Sequence, residues 1–450
     1  MTPEIALKYA EPVPRYTSYP TAPHFHSAVG AEIAADWLTS LPPAEKLSLY
    51  FHIPFCHSLC WFCGCHTKIT RRHAPVERYL STLRDEIALV AAQFGGRREV
   101  AHIHLGGGSP SLLQPDDLRR LAEMLHRHFL IAGNAEFAIE IDPRTIDDER
   151  AAALAEIGVN RVSLGVQDFN PAVQRAVNRE QPLSLTARVI GLLRGHGIER
   201  LNLDLMYGLP LQTVGGLAQT LEHAIDLAPD RIALFGYAHV PWLKKHQKLI
   251  DEALLPSPWQ RWCQARSAAR QLAAAGYVPI GLDHFARPND PLARAAAEGT
   301  LRRNFQGYTA DPARALIGFG ASAIGSLAEG YLQNHADANA YAAALAAGRL
   351  PIVRGLRLTR DDRLRAAVIE RLMCALTVDL EAMCRSYDLP TNYLDAATAR
   401  LDNLASDGLV EVDGRRVVVP DHARLFVRNI AACYDAYLQP SEQLRHARGV

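Results

Sequence analysis

Six short and nearly continuous apolar runs punctuate the first half of the chain, at residues 47–53, 101–105, 137–141, 161–166, 201–206 and 232–237. Runs of this kind predict strands buried on both faces, as in a parallel sheet covered by helices. Between the first two, Val76, Tyr79, Leu80, Leu83, Ile87, Val90 and Phe94 recur at three- and four-residue spacing and Gly95-Gly96 follows, which predicts an amphipathic helix with a defined end. Pro115 suits the first position of a second helix running through Leu118, Leu121, Leu125 and Phe129, and Thr213 suits the cap of a later one. Strand and helix alternating six times predict an α/β fold built as a (β/α)6 partial barrel.

In parallel α/β folds the functional groups collect at the carboxyl ends of the strands. The residues there are a cysteine loop after Ile53, then Gly106-Gly107-Gly108-Ser109, Glu140 with Asp142, Gln167-Asp168, Asp204 with Tyr207, and Tyr237-Ala238-His239. Beyond about Pro256 the pattern turns helical, with a strand expected at 277–282 and a polar stretch at 302–308 that extends or covers the barrel. From about Arg360, helices lead into a hairpin, 410–412 and 417–419 around Asp413-Gly414. This predicts a smaller, mainly helical C-terminal domain of winged-helix-like character. The expected division is 1–46 as an N-terminal segment covering the active site, 47–355 as the barrel and its extension, and 356–450 as the C-terminal domain.

Charge changes the picture by exclusion. Lys and Arg together number 48 and so do Asp and Glu, so the field that drives most nucleic-acid binding is missing, and the two arginines of the hairpin, Arg415 and Arg416, do not restore it. No run of about 18 apolar residues predicts a membrane span, and the first residues lack a secretory pattern, so a cytoplasmic protein is expected.

Four of the eight cysteines, Cys56, Cys60, Cys63 and Cys65, fall within ten residues, and the others are scattered as buried small hydrophobes. No second Cys or His pair follows at zinc-knuckle spacing, which makes zinc the weaker reading. Three thiolates spaced by three and then two residues suit three corners of a cubane, leaving the fourth iron to an outside ligand. Cys65 as a fourth ligand would close that site, and the spacing alone leaves both readings open. Trp61 and Phe62 can exclude water from the loop or simply pack. The glycine run is a candidate site for an amino-acid-like ammonium or carboxylate. Glu140 and Asp204 are candidate cation or ribose-hydroxyl ligands, with a buried ion pair as the alternative. Arg179 can pair with a carboxylate or lie in solvent; His52 and His239 are the histidines closest to this chemistry.

These features resemble the radical S-adenosylmethionine superfamily and, within it, the oxygen-independent coproporphyrinogen III oxidase family. The resembling blocks span nearly the whole chain: PRYTSYPTAPHF (14–25), YFHIPFCHSLCWFCGCHTKIT (50–70), HLGGGSPS (104–111), EIDPR (140–144), SLGVQDFNPAVQRAVNREQ (163–181), NLDLMYGLP (202–210), YAHVP (237–241), DHFARPND (283–290) and NFQGYT (304–309). The resemblance implies one [4Fe–4S] cluster on Cys56, Cys60 and Cys63, with Cys65 a non-ligating thiol that matters for turnover. It implies two S-adenosylmethionine molecules, the cluster-bound one touching Tyr50, Gly107, Glu140 and Ile324. The second would touch Phe62, Gly108, Ser109, Gln167, Arg179, Asp204 and Ala238. The implied reaction decarboxylates two propionates of coproporphyrinogen III to vinyl groups in a monomeric enzyme, with an outside electron donor and a terminal acceptor. Ser109 stands where the family often has threonine, Gly236 where asparagine is common and Trp61 where tyrosine is common. Arg15, Tyr16, Gln306 and Tyr308 are the residues expected to meet the tetracarboxylate substrate, which needs cationic and hydroxyl donors. A haem-carrying relative generally lacks the fourth cysteine and the RYTSYP segment, and this chain has both.

Overall fold

The computed structural model describes residues 2–438. Its main sheet has the six expected strands as parallel neighbours in sequence order: Leu47–Ile53, Arg98–Gly107, Phe129–Ile141, Arg161–Gln167, Arg200–Tyr207 and Arg231–Gly236. Helices Ala74–Ala92, Pro115–His128 and Val214–Asp226 lie among the crossovers. Pro115 opens its helix inside a Gln114/Asp117 capping box, and the Thr213 hydroxyl accepts from Gly216 N at 3.0 Å. Phe129 does not continue the second helix, contrary to its spacing. It adopts extended backbone, is fully buried, and pairs with Arg98 as the first residue of a 13-residue strand.

The sheet is wider than the periodicity suggests. Ala315–Phe319 adds a seventh parallel strand beside the first, and Ile324–Ser326, Gly330–Asn334 and Ile352–Arg357 continue it as antiparallel strands. At the other edge His284–Ala286 and Val278–Ile280 pair antiparallel, so only three residues of the expected 277–282 strand are in the ladder. Strands of three to six residues interrupted by glycine are too short for a period of two to register.

Two apolar cores result. The larger fills the space between sheet and helices and includes Phe51, Phe129, Phe319, Leu83 and Leu203. The second joins Leu364, Val368, Leu372, Phe426 and Tyr434 to Ala6, Val13, Tyr16 and Tyr19, so residues up to about 20 pack into the C-terminal domain while Ala34, Trp37 and Leu38 pack on the barrel. In the C-terminal domain Thr377–Asp379, Arg416–Val418 and Glu411–Asp413 form a three-stranded sheet beside helices Arg360–Ala375 and Leu380–Ser386. Asp413 pairs with Arg416, so the two-residue turn is Gly414-Arg415, one position later than the sequence suggested.

Candidate active site

The cysteine loop is a side excursion from the first strand. Phe55–Cys56 pairs parallel with Lys68–Ile69, and Thr70 N donates to Cys56 O at 2.9 Å, closing residues 57–67 into a loop. Its backbone is held from two other elements. Trp61 N donates to Val177 O at 3.0 Å and Asn178 Nδ2 to Leu59 O at 2.8 Å. From the far side, Gln247 Nε2 donates to Phe62 O at 3.0 Å, His246 Nε2 to Cys63 O at 2.8 Å and Lys244 Nζ to Cys65 O at 3.1 Å.

The thiols differ in surroundings. Buried Cys60 faces two guanidiniums, with Arg179 Nη1 3.4 Å and Arg144 Nη2 3.7 Å from its sulfur. Asp142 holds both arginines, Arg144 at 2.6 Å and Arg179 at 3.5 Å. Burial opposes ionisation of Asp142, yet the charges of Arg179 and Arg144 win and hold its carboxyl down at about 2. Arg179 is thus buried and paired rather than solvated. Burial pushes the Cys56 thiol up to about 12, with Cys63 and Cys60 adding to it. Cys65 donates to Cys63, its amide lying 3.4 Å from the Cys63 sulfur, and that hydrogen bonding favours a thiolate on Cys63 and a retained proton on Cys65.

The glycine run packs against the start of this loop. Gly108 N donates to Ile53 O at 2.9 Å and Ser109 N to Phe55 O at 2.7 Å. A Cβ on Gly108 would lie 2.6 Å from Phe55 O, and one on Gly107, at φ +110, 2.6 Å from the His52 ring. Gly107 N also donates to Glu140 Oε2 at 3.2 Å, while His104 Nε2 meets Oε1 at 3.1 Å. Burial alone would raise the Glu140 carboxyl, but the His104 hydrogen bond and charge and the Gly107 amide hold it below its usual range. Tyr50 stacks on His104 and its hydroxyl lies 3.1 Å from His52 Nδ1. Because His66 O can only accept, the 2.9 Å contact from His52 Nε2 places the proton there, leaving Nδ1 to accept from Tyr50.

Ser109 is buried and shares a hydroxyl chain with Ser111, 2.9 Å, which continues to Thr145 at 2.7 Å. Gln167 has a left-handed backbone at φ +71, beside a bulge in the fourth strand. Asp204 accepts from Ser163 Oγ and Asn202 Nδ2, both at 2.8 Å, and burial, aided by the Glu140 charge, pushes its carboxyl up to about 6. Phe62 and Trp61 pack beside Val173, Val177 and Met206. Ile324 opens the short antiparallel strand beside Ala315–Phe319. His239 is committed to Tyr237 at 2.8 Å and Glu252 at 2.9 Å.

Alongside the last two parallel strands lies a cavity of about 460 Å³. Ala238 and Tyr207 line it, and Gln247, which donates to Ala238 O at 3.2 Å, ties that wall to the cysteine loop. Seven arginines line it against two carboxylates, Asp283, paired with His284 at 2.7 Å, and Asp421, paired with Arg424 at 2.9 Å. Arg303 Nη1 and Gln306 Nε2 are buried donors with no hydrogen-bond partner.

Of the four expected substrate residues, Arg15 and Gln306 line this cavity, whereas Tyr16 and Tyr308 do not. The Tyr16 hydroxyl donates to Asp435 at 3.0 Å inside the second core, and the Tyr308 hydroxyl bridges Leu282 N at 2.9 Å and Met373 O at 2.8 Å. Sequence reasoning overlooked Arg266 and Arg270, which line the cavity from the helix Pro258–Ala274. Their i, i+4 spacing on one helix face was the available signal.

Among the described residues no three His, Cys, Asp or Glu side chains are arranged to hold a single metal ion. The donor chemistry suits a cluster: three thiols on one loop, with two guanidiniums against the Cys60 sulfur to offset thiolate charge.

A family model described as the Radical SAM superfamily matches residues 50–224, and one described as the HemN C-terminal domain matches 358–426. An oxygen-independent coproporphyrinogen III oxidase of Bradyrhizobium diazoefficiens is 49% identical over 451 residues, covering 100% of both chains. One from Escherichia coli strain K12 is 41% identical, covering 97% of this chain and 96% of the other. A solved structure described as coproporphyrinogen III oxidase (HemN) from Escherichia coli, a radical SAM enzyme, superposes with a TM-score of 0.90 at 41% identity, covering 94% of this chain and 98% of that one. With identity of this order running end to end and the fold shared, the chain belongs to the oxygen-independent coproporphyrinogen III oxidase family of radical S-adenosylmethionine enzymes.

Proposed function

We propose that this enzyme converts two propionate side chains of coproporphyrinogen III to vinyl groups, giving protoporphyrinogen IX. Cys56, Cys60 and Cys63 would hold one [4Fe–4S] cluster. When bound, that group supplies the electron that splits S-adenosylmethionine into methionine and a hydrogen-abstracting 5′-deoxyadenosyl radical.

The chain's own residues bind and orient. Tyr50, Gly107, Glu140 and Ile324 would receive the S-adenosylmethionine at the cluster; Glu140, kept ionised by His104 and Gly107 N, suits its ammonium. Phe62, Gly108, Ser109, Gln167, Arg179, Asp204 and Ala238 would receive a second molecule. Asp204, buried between the neutral donors Ser163 and Asn202, gains most from hydroxyl or cationic partners supplied by a ligand. Cys65 would keep its proton beside the cluster site.

The observation that carries the substrate assignment is the arginine-rich cavity with its two orphaned donors. A tetracarboxylate would satisfy Arg303 Nη1 and Gln306 Nε2 and balance the surplus of guanidinium charge. Arg15 takes part from the N-terminal segment. The enzyme would act as a cytoplasmic monomer, drawing on an outside reductant and releasing the last electron to an outside acceptor.

The test is anaerobic reconstitution of the cluster, then incubation with dithionite, S-adenosylmethionine and coproporphyrinogen III. Formation of both 5′-deoxyadenosine and protoporphyrinogen is the expected result, and absence of both refutes the reading.

A further inference from the structure

In a cavity that receives a tetracarboxylate, the protein's own carboxylates are out of place. A negative group beside such a substrate repels it unless the substrate also brings a donor for that group to accept from. Of the two carboxylates in the cavity wall, Asp421 is largely exposed, and Nε and Nη2 of Arg424 both donate to its Oδ1. Asp283 differs. Its Oδ1 accepts from His284 Nδ1 at 2.7 Å, but among the described residues nothing donates to its Oδ2 and no arginine forms an ion pair with it. Burial opposes its ionisation, yet the His284 hydrogen bond and charge, with the charges of Arg303 and Arg15, hold the carboxyl down at about 2. Oδ2 is therefore an acceptor without a donor.

The turn that carries this group is fixed in advance. Asp283 O accepts from Leu234 N at 2.8 Å, Leu282 N donates to the Tyr308 hydroxyl at 2.9 Å, and Gly281 O accepts from Arg424 Nη1 at 2.6 Å. Gly281 has φ +54, and the Tyr308 ring fills the direction a Cβ would take. The His284 ring meets Phe235 and Tyr308 edge-on, with centroids 5.5 and 5.3 Å apart, which keeps its Nδ1 on Asp283. A carboxylate oxygen is thus held at a set place in the wall, so a ligand that matches it spends little on ordering.

The missing donor exists on one form of the tetrapyrrole. A porphyrinogen carries four pyrrole N–H groups and no ring acceptor, whereas the oxidised porphyrin carries two N–H groups and two bare nitrogens. Resting on the substrate reading above, we propose that Asp283 accepts from the pyrrole N–H groups of the substrate and makes the cavity select the porphyrinogen over the porphyrin bearing the same side chains. The arginines suit the carboxylates, which both oxidation states share; Asp283 suits the ring nitrogens, where the two differ. Bare nitrogens set against a carboxylate leave two acceptors opposed, which is a stronger basis for rejection than shape alone.

The test reads binding without turnover. Reconstituted full-length enzyme is equilibrated anaerobically, in the dark and without reductant, with coproporphyrinogen III or with coproporphyrin III. Free ligand is separated by ultrafiltration and measured by porphyrin fluorescence after oxidation in air. The wild type is expected to bind the porphyrinogen at least about tenfold more tightly than the porphyrin. Asp283→Leu should lose about tenfold or more in affinity for the porphyrinogen and none for the porphyrin, with iron–sulfur absorbance intact. Asp283→Asn, which keeps the shape and one acceptor but not the charge, should fall between the two and serves alone if the leucine variant does not fold. Equal affinity of the wild type for both tetrapyrroles would overturn the proposal. So would an unaltered preference in the variants, or a parallel loss for both ligands, the mark of a merely structural group. Failure of the wild type to form protoporphyrinogen with dithionite and S-adenosylmethionine would overturn the proposed reaction instead, because the preference is read from binding alone.

Discussion

At the scale of single residues, the site is a set of charges held in unequal states by their neighbours. Asp142 is the pivot for Arg144 and Arg179, and through them for the Cys60 sulfur. Its folded carboxyl, near 2, lies below the ordinary 3.8, so the native state is favoured above the ordinary value and that contribution is lost as pH falls from about 4 to 2. The shift corresponds to about 2 kcal/mol, and acid unfolding of Asp142→Asn should lack it. Asp204 has the opposite sign. Its carboxyl, pushed up to about 6, is best tolerated when protonated, so stability falls as pH rises from about 4 to 6. Asp204→Asn should therefore stabilise the ligand-free protein by about 1–2 kcal/mol at neutral pH, read by urea unfolding, while weakening S-adenosylmethionine binding. In the cavity, Arg303→Gln or Gln306→Leu should raise KM for the porphyrinogen about tenfold or more, with iron–sulfur absorbance intact. Cys65→Ser should keep that absorbance and lose turnover; loss of the cluster itself would show Cys65 to be a ligand. Most of these residues were legible as polar positions at strand ends, but their partners were not. Tyr16 and Tyr308 looked like substrate donors only because a sequence does not show that a hydroxyl is already spent on Asp435 or on backbone.

At the scale of elements, the glycine run after the second strand is the clearest link between backbone and chemistry. The sequence suggested room for a ligand, and the structure shows the side-chain directions at Gly107 and Gly108 filled by His52 and the Phe55 backbone. Gly108→Ala would force Phe55 O away and displace the start of the cysteine loop. Reconstitution of this variant should give less than half the iron content of the wild type, while far-ultraviolet circular dichroism stays the same. The helix Ala74–Ala92 was read correctly from its apolar stripe, yet its buried Glu86 was not. That carboxylate accepts from Gly320 N, Asn334 Nδ2 and Tyr341, each at 2.6 Å, and ties the helix to the sheet extension that the sequence did not reveal. Glu86→Ala would leave three buried donors without an acceptor, a loss of about 3 kcal/mol or more in denaturant unfolding.

At the scale of the whole molecule, the cavity draws its walls from distant parts of the chain. Arg15 comes from the N-terminal segment, Arg266 from the helix after the barrel, Arg303 from a separate two-stranded hairpin, Arg302–Asn304 with Gly307–Thr309, and Arg424 from the C-terminal domain. Because Ala6, Val13, Tyr16 and Tyr19 complete the second core, deleting residues 2–20 should remove Arg15 and also destabilise the C-terminal domain. A lowered thermal midpoint together with lost porphyrinogen affinity is the expected outcome. The sequence by itself determined the barrel and the cysteine loop. Strands buried on both faces need continuous apolar runs, and thiols that grip one cluster from one loop need close spacing, so both leave local patterns. Only the tertiary structure decided the sheet's outer strands, the state of each carboxyl and the assembly of the cavity. Those depend on which groups from far apart in sequence meet in a buried space, where desolvation makes each missing or present partner decisive.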